Sequence, residues 1–258
     1  MMLKKTFHIK AFLVPIFMLS AMWFGFFLQH IGLIENCDGS LIPLVPEGLK
    51  GVIFSPLLHG NLEHIAGNSI PIAALLFLLY QFYPKLANTV FFWGWLASGL
   101  VVWLLPPMNF FGQAPVYSCI IGASGIVYML AFFLFFSGIF RRDNKLLTVS
   151  LLVALYYGSL IWGIFPEELF YKLNEPSKVS WQAHLAGAIV GISLSLIFRK
   201  KHQEKKKKFI WEFPNYYSEK DDKLWQEYKE NFPDSVEEMP QIKKNEVWEH
   251  LDELRNKK

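Results

Sequence analysis

Ser124 lies between glycines in Gly122-Ala123-Ser124-Gly125, at the mouth of an apolar run that continues to Phe140. Glycine neighbours allow close backbone approach and leave N–H groups accessible beside the hydroxyl, a setting that suits a nucleophile. Alone, such a cluster more commonly serves close packing of membrane helices, so the other polar residues must decide. His184 is followed at helical spacing by Gly187, Ala188, Gly191 and Ser195, a stripe of small residues that lets another helix backbone come very near it. His64 and Asn68 are four apart and share one helical face. Tyr128 follows Ser124 by one turn. A serine hydroxyl is a weak nucleophile until an adjacent base takes its proton, and His184 is the candidate base. Tyr128 could hold the imidazole by stacking. A developing oxyanion would need fixed donors, and the Ser124 N–H, the Asn68 amide and the His64 ring are the candidates.

These residues are carried by segments that must cross a membrane. The chain is 53% hydrophobic, 17% aromatic and only 18% charged, too apolar for an ordinary soluble domain of 258 residues. Six apolar runs are predicted to span: Ala11 to Ile34, a second from about Glu63 or His64 to Tyr83, Leu86 to Leu105, Gly122 to Phe140, Leu146 to Phe165, and Trp181 to Phe198. The first is longer than a signal-peptide core and is followed by no convincing small-x-small cleavage site, so it reads as a retained span. Pro43, Pro46, Gly48 and Gly51 make the stretch from Glu35 to Gly60 a structured loop. No acidic residue lies inside spans four to six, so the catalytic set reads as a Ser-His dyad rather than a triad.

Basic residues fix the expected orientation. Lys4, Lys5, Lys10, Lys85, Arg141, Arg142, Lys145, Arg199, Lys200, Lys201 and the run Lys205 to Lys208 flank one side, against Lys50, Lys172 and Lys178 on the other. The positive-inside rule then places both termini in the cytoplasm and the loops before His64, Ser124 and Trp181 on the outer side. At ~1.5 Å per residue, Ser124 stands roughly 25 Å above Arg141, Asn68 roughly 25 Å above Lys85, and His184 roughly 22 Å above Arg199. Polar groups from three spans thus converge on one level, near the outer face of a ~30 Å hydrocarbon core.

Two domains are expected: a membrane domain at 1–200 and a cytoplasmic, charged tail at 201–258 that is partly helical or disordered. Val247, Leu251 and Leu254 share a face and suggest a short amphipathic helix near the end. Cys37 and Cys119 form no metal-ligand pattern; both fall in outward loops, where a disulfide is possible, but two unrelated thiols are the simpler reading. No cofactor, metal or nucleic acid is called for.

The joint pattern of His59, His64-x-x-x-Asn68, Gly122-x-Ser124-Gly125 with Tyr128, and His184-x-x-Gly187-x-x-x-Gly191 resembles the signature of rhomboid intramembrane serine proteases. The pieces fall in that family's order, on the second, fourth and sixth spans, and the resemblance covers roughly residues 9–200. It implies an all-α polytopic membrane protein, a six-transmembrane-helix rhomboid-like bundle with a soluble C-terminal tail, in the bacterial inner (cytoplasmic) membrane. It implies Ser124 as nucleophile and His184 as base, with His64, Asn68 and Gly122 at the oxyanion site and Tyr128 in support. His59, Gly187 and Gly191 are expected to be structural. Transmembrane segments of other membrane proteins, cut near their outer ends, would be the substrates, with membrane lipid the other partner. One departure is visible: many members carry Trp-Arg in the first outer loop, where this chain has Lys50-Gly51.

Two other readings compete. A catalytically silent rhomboid-like protein that binds transmembrane helices shares the fold but typically lacks the serine or the histidine. A small transporter could bury the same polar groups, yet it would be expected to show repeat symmetry and discontinuous helices near the midplane, and neither is seen.

Overall fold

The computed structural model of the chain describes residues 7–35, 37–106, 119–166, 180–201 and 219–233. The charged run beyond Lys201 and the helix expected around Val247, Leu251 and Leu254 lie outside those residues, as does most of the loop ahead of Ser124. Backbone contacts divide the chain into two units, Met1–Gln203 and Glu204–Lys258. Within the second, α8 spans Glu219–Asn231, with Trp225 and Tyr228 stacked on its surface.

The first unit is all helical among its described residues, apart from one isolated antiparallel bridge between Leu41 and Ile120. Its helices are α1 (Lys10–His30), the short α2 (Gly51–Phe54), α3 (Leu62–Phe82), α4 (Ala87–Leu104), α5 (Ser124–Arg141), α6 (Asn144–Tyr157) and α7 (Trp181–Ile197). Five helical segments are long and apolar enough to cross a membrane, the fifth being α6 with its 3-10 continuation to Ile164; α7 is an apolar helix of 17 residues. Large apolar side chains such as Phe17, Ile70, Trp93 and Leu155 point outward from these helices. In water that pattern would be costly; in lipid it is the expected exterior. The protein is an integral membrane protein.

Two spans end differently from expectation. The first was expected to run to Ile34, but α1 stops at His30. Gly32 takes φ of +78°, the Gly32 N–H donates to the Gln29 carbonyl, and the Leu33 N–H donates to the Leu28 carbonyl. This six-to-one closure with a left-handed glycine terminates a helix whatever the hydropathy beyond it. The fifth span is α-helical only to Tyr157 and then tightens into a 3-10 stretch, Gly158–Ile164.

α5 is the central element. It buries side chains from all around its axis, including Met129, Leu130, Phe133 and Leu134, against α3, α4, α6 and α7. Its tightest partner is α7. A Cβ at Gly187 would overlap the Gly125 carbonyl oxygen, and one at Gly191 would overlap that of Met129. Both glycines therefore allow backbone-to-backbone approach, as the small-residue stripe suggested. At the opposite end, Arg141 Nη2 donates to the Phe198 carbonyl at 2.6 Å and to that of Lys201 at 3.0 Å. Both carbonyls lie in the turn just beyond α7, where that of Phe198 also accepts from the Lys201 N–H at 3.0 Å.

The loop between α1 and α3 is fastened to the rest at several points. Trp103 Nε1 donates to the Val45 carbonyl at 2.9 Å and Trp95 Nε1 to that of Val52 at 3.0 Å. Lys50 pairs with Asp38 within the loop, holding that carboxyl below its ordinary range. Gly51 meets the backbone of Ser40 and Leu41, where a Cβ would overlap them. The Lys-Gly pair that replaces Trp-Arg thus braces the loop internally. Cys37 and Cys119 are not unrelated thiols: they form a disulfide, with Cα atoms 5.4 Å apart at a sequence separation of 82. Two cysteines at that separation carry no pattern in sequence, because pairing depends on the fold that brings the loops together.

Candidate active site

Ser124 is the first residue of α5, and the chain reaches it through a sharply turned approach. The Ile120 and Leu41 backbones exchange hydrogen bonds at 2.9 Å, and the Gly122 N–H donates to the Ser55 carbonyl at 2.8 Å. Gly122 itself takes φ of +110°, a conformation that L side chains rarely adopt. A Cβ there would also lie 2.6 Å from Cε1 and Nε2 of His64. Glycine is needed on both counts, and its lack of a side chain brings the turn against the imidazole.

His184 sits one turn into α7, whose N-terminus is capped by Ser180 Oγ accepting from the Ala183 N–H at 3.3 Å. Gln182 Nε2 donates to the Pro106 carbonyl at 2.9 Å, tying this turn to the end of α4. The His184 ring is buried and makes two short contacts. Nε2 lies 2.9 Å from Ser124 Oγ, and Nδ1 lies 2.9 Å from the carbonyl oxygen of Gly163. Tyr128 stacks on the ring face, centroid to centroid 4.1 Å with planes 8° apart.

The third contributor is α3. Asn61 caps it, its Oδ1 accepting from the His64 N–H at 2.8 Å, and so fixes the turn that carries His64. Asn68 Nδ2 donates to the His64 carbonyl at 3.2 Å and faces the Gly122 turn, 3.7 Å from where a Gly122 Cβ would stand. His59, almost fully buried, packs its ring edge-on against His64 at 5.0 Å, and its backbone N–H donates to Gln29 Oε1 of α1 at 2.9 Å. Behind the turn a pocket opens, lined by Ser55, Trp95, Ser98, Val102, Ile126 and Ala183.

Ser124, Tyr128 and His184 therefore meet directly, and His64 and Asn68 border the Gly122 turn that leads to Ser124. The Rhomboid domain model matches residues 46–201, which contain every one of them. The chain belongs to the rhomboid family. Similar chains occur in mycobacteria: uncharacterized proteins of Mycobacterium tuberculosis and Mycobacterium bovis are each 35% identical over 176 residues, covering 64% of this chain and 68% of theirs. An uncharacterized protein of Mycobacterium leprae is 35% identical over 156 residues, 58% of this chain and 56% of its own.

Sequence reasoning missed three contributors to this rhomboid site. Gly163 and Ser55 act through main-chain carbonyls, which every residue carries and no pattern marks. Gln182 left a faint trace, as a polar residue at the start of an apolar helix. Among the described residues no cluster of His, Cys, Asp and Glu has the makings of a metal site.

Proposed function

We propose that this rhomboid protein is an intramembrane serine endopeptidase, with Ser124 as nucleophile and His184 as general base. The observation that carries the reading is the 2.9 Å contact between Ser124 Oγ and His184 Nε2, inside a bundle whose exterior is apolar. A geometry of that kind, base to hydroxyl within hydrogen-bond reach, is what activation of serine requires.

The chemistry follows from the groups present. Ser124 Oγ attacks the carbonyl carbon of a scissile peptide bond while its proton passes to His184 Nε2. The carbonyl oxygen takes up the negative charge. The N–H of Ser124, in the first turn of α5, has no partner within its own helix and stands at the positive end of the helix dipole. The Asn68 amide carries a second N–H beyond the one given to His64, and the His64 ring borders the same turn. Those donors would share the oxyanion. Collapse of the intermediate breaks the C–N bond, and His184 returns its proton to the leaving amine. Water, deprotonated by His184 in the same way, then releases the acyl group from Ser124.

Transmembrane segments of other proteins are the substrate class that fits a dyad held within an apolar bundle. The distribution of Lys and Arg supports cytoplasmic termini and cleavage near the outer face of the inner membrane. The tail from 201 onward carries no candidate for the chemistry, so a chain ending after Lys208 should still cleave in detergent.

The experiment is labelling of the full chain by a serine-directed phosphonate probe, together with cleavage of a reporter transmembrane segment. Both should occur in the wild type and vanish in Ser124→Ala and His184→Ala, with membrane insertion unchanged. Substantial cleavage by either variant would remove the dyad assignment. Failure of the wild type to label at all would favour a protein that binds helices without cutting them.

A further inference from the structure

We propose that the main-chain carbonyl of Gly163 is the positioning group of the dyad, taking the place that a carboxylate holds in a triad. The inference rests on the protease reading above but concerns a group that no side-chain pattern reveals.

A carbonyl oxygen only accepts hydrogen bonds, so its 2.9 Å contact with His184 Nδ1 requires that nitrogen to carry the proton. The neutral ring then has its lone pair on Nε2, the nitrogen 2.9 Å from Ser124 Oγ. Only this tautomer lets the serine hydroxyl donate to the ring. Orienting a histidine base through its other nitrogen is the task a buried carboxylate performs in a triad. Here no Asp or Glu occurs between Ser124 and Arg141, between Asn144 and Ile164, or between Trp181 and Ile197. The carbonyl meets the nitrogen that a triad carboxylate would meet, and it faces the N–H that gains charge when the imidazolium forms.

The local structure explains why residue 163 can do this. Gly163 lies near the C-terminal end of the 3-10 stretch Gly158–Ile164. The last carbonyls of a helical segment have no partner within it and must find one elsewhere. Absence of a side chain brings this carbonyl to the ring. A Cβ at Gly163 would overlap Tyr128 Oη and would lie 3.1 Å from His184 Nδ1 and 3.1 Å from Tyr128 Cζ. Tyr128 therefore holds the face of the imidazole and Gly163 its edge. The end of the fifth span, which bears none of the reacting side chains, is thereby coupled to the chemistry of the other two.

The test combines a spectrum with kinetics. The full chain, labelled with 15N at histidine and held in detergent, should show a His184 signal, assigned by its loss in His184→Ala, with Nδ1 protonated and Nε2 unprotonated at neutral pH. Gly163→Ala should lower kcat by about 10- to 100-fold, on the scale of losing effective general-base catalysis, while KM changes by less than about 2-fold. Its His184 signal should show mixed tautomers. Because the severest clash is with a phenol oxygen, Gly163→Ala in a Tyr128→Phe background should cost several-fold less in kcat than it does with Tyr128 present. A wild-type spectrum with the proton on Nε2 would overturn the proposal whether or not any variant folds. So would a Gly163→Ala enzyme with wild-type kcat and an unchanged spectrum. A wild type that shows the Nδ1–H signal yet neither cleaves nor labels would instead overturn the protease reading and leave the hydrogen bond established.

Discussion

Tyr128 and His184 lie face to face, one turn beyond Ser124 and one turn into α7, with ring planes only 8° from parallel. A packed aromatic pair of this sort contributes about 0.5–1.5 kcal/mol beyond its buried area. Tyr128→Phe keeps the stacked surface and should stay within a few-fold of wild-type kcat. Tyr128→Ala should lose roughly 2- to 10-fold from the missing stack, and more if the ring rotates away from Ser124. Steady-state cleavage of a reporter segment distinguishes the two; equal losses in both would mean that the hydroxyl, not the ring face, is what matters.

The oxyanion donors should behave as a group. Loss of one donor typically costs on the order of 10²–10³ in rate, and less when others remain. The Ser124 N–H survives any side-chain change, so Asn68→Ala and His64→Ala should each slow turnover without abolishing it. Their double variant should lose less than the product of the single effects, because both act on one charge. If Asn68→Ala lowered thermal stability but left kcat untouched, Asn68 would be a cross-link within α3 and no donor.

Acid should weaken the fold through His59. Burial, and then the neighbouring His64, push the His59 ring down from 6.5 to about 4. The unfolded chain takes up a proton near 6.5 and the folded chain only near 4, so the unfolded state binds more protons between them. The corresponding stability is present above pH 6.5 and drains away as pH falls toward about 4, up to about 3 kcal/mol in all. Thermal melts in detergent at several pH values should show this slope, and His59→Gln should flatten it. An equal slope in the variant would assign the acid sensitivity to other groups.

Glycines on different helix faces should respond oppositely to the same methyl group. At Gly191 a Cβ would lie 2.9 Å from the Phe133 backbone nitrogen besides overlapping the Met129 carbonyl, and backbone cannot move aside cheaply. Gly191→Ala should cost about 1–3 kcal/mol, as overpacked cores do, and should depress kcat by parting α5 from α7. At Gly67 on α3 nothing lies within 4 Å of a Cβ. Gly67→Ala should be neutral or stabilising, by up to about 1 kcal/mol from helix propensity. Melting temperatures of the two variants side by side check the contrast.

The apolar helices and the nearness of Ser124 to His184 were legible in the sequence because a polar group in lipid is expensive and stands out against its surroundings. Helix ends were less so. Hydropathy ran on past His30, where a left-handed Gly32 stopped the helix, and past Tyr157, where the winding tightened. Backbone roles were invisible: the carbonyls of Ser55 and Gly163 look like any others until the fold aims them. The Cys37–Cys119 pairing was hidden for a related reason, since adjacency across 82 residues is a property of the folded loops alone.

That pairing has a bearing on sidedness. Between Cys37 and Cys119 the chain crosses by way of α3 and α4, an even number of passages, so both sulfurs emerge on one face whichever way the protein is threaded. Disulfides persist where the compartment is oxidising and not where thiols are kept reduced. The redox state of this pair is therefore a test of orientation. A pair found oxidised in the cell would put the Ser124 end of α5 on the side away from the reducing interior, and thiol labelling from either side of the membrane would check this independently of any count of lysines and arginines.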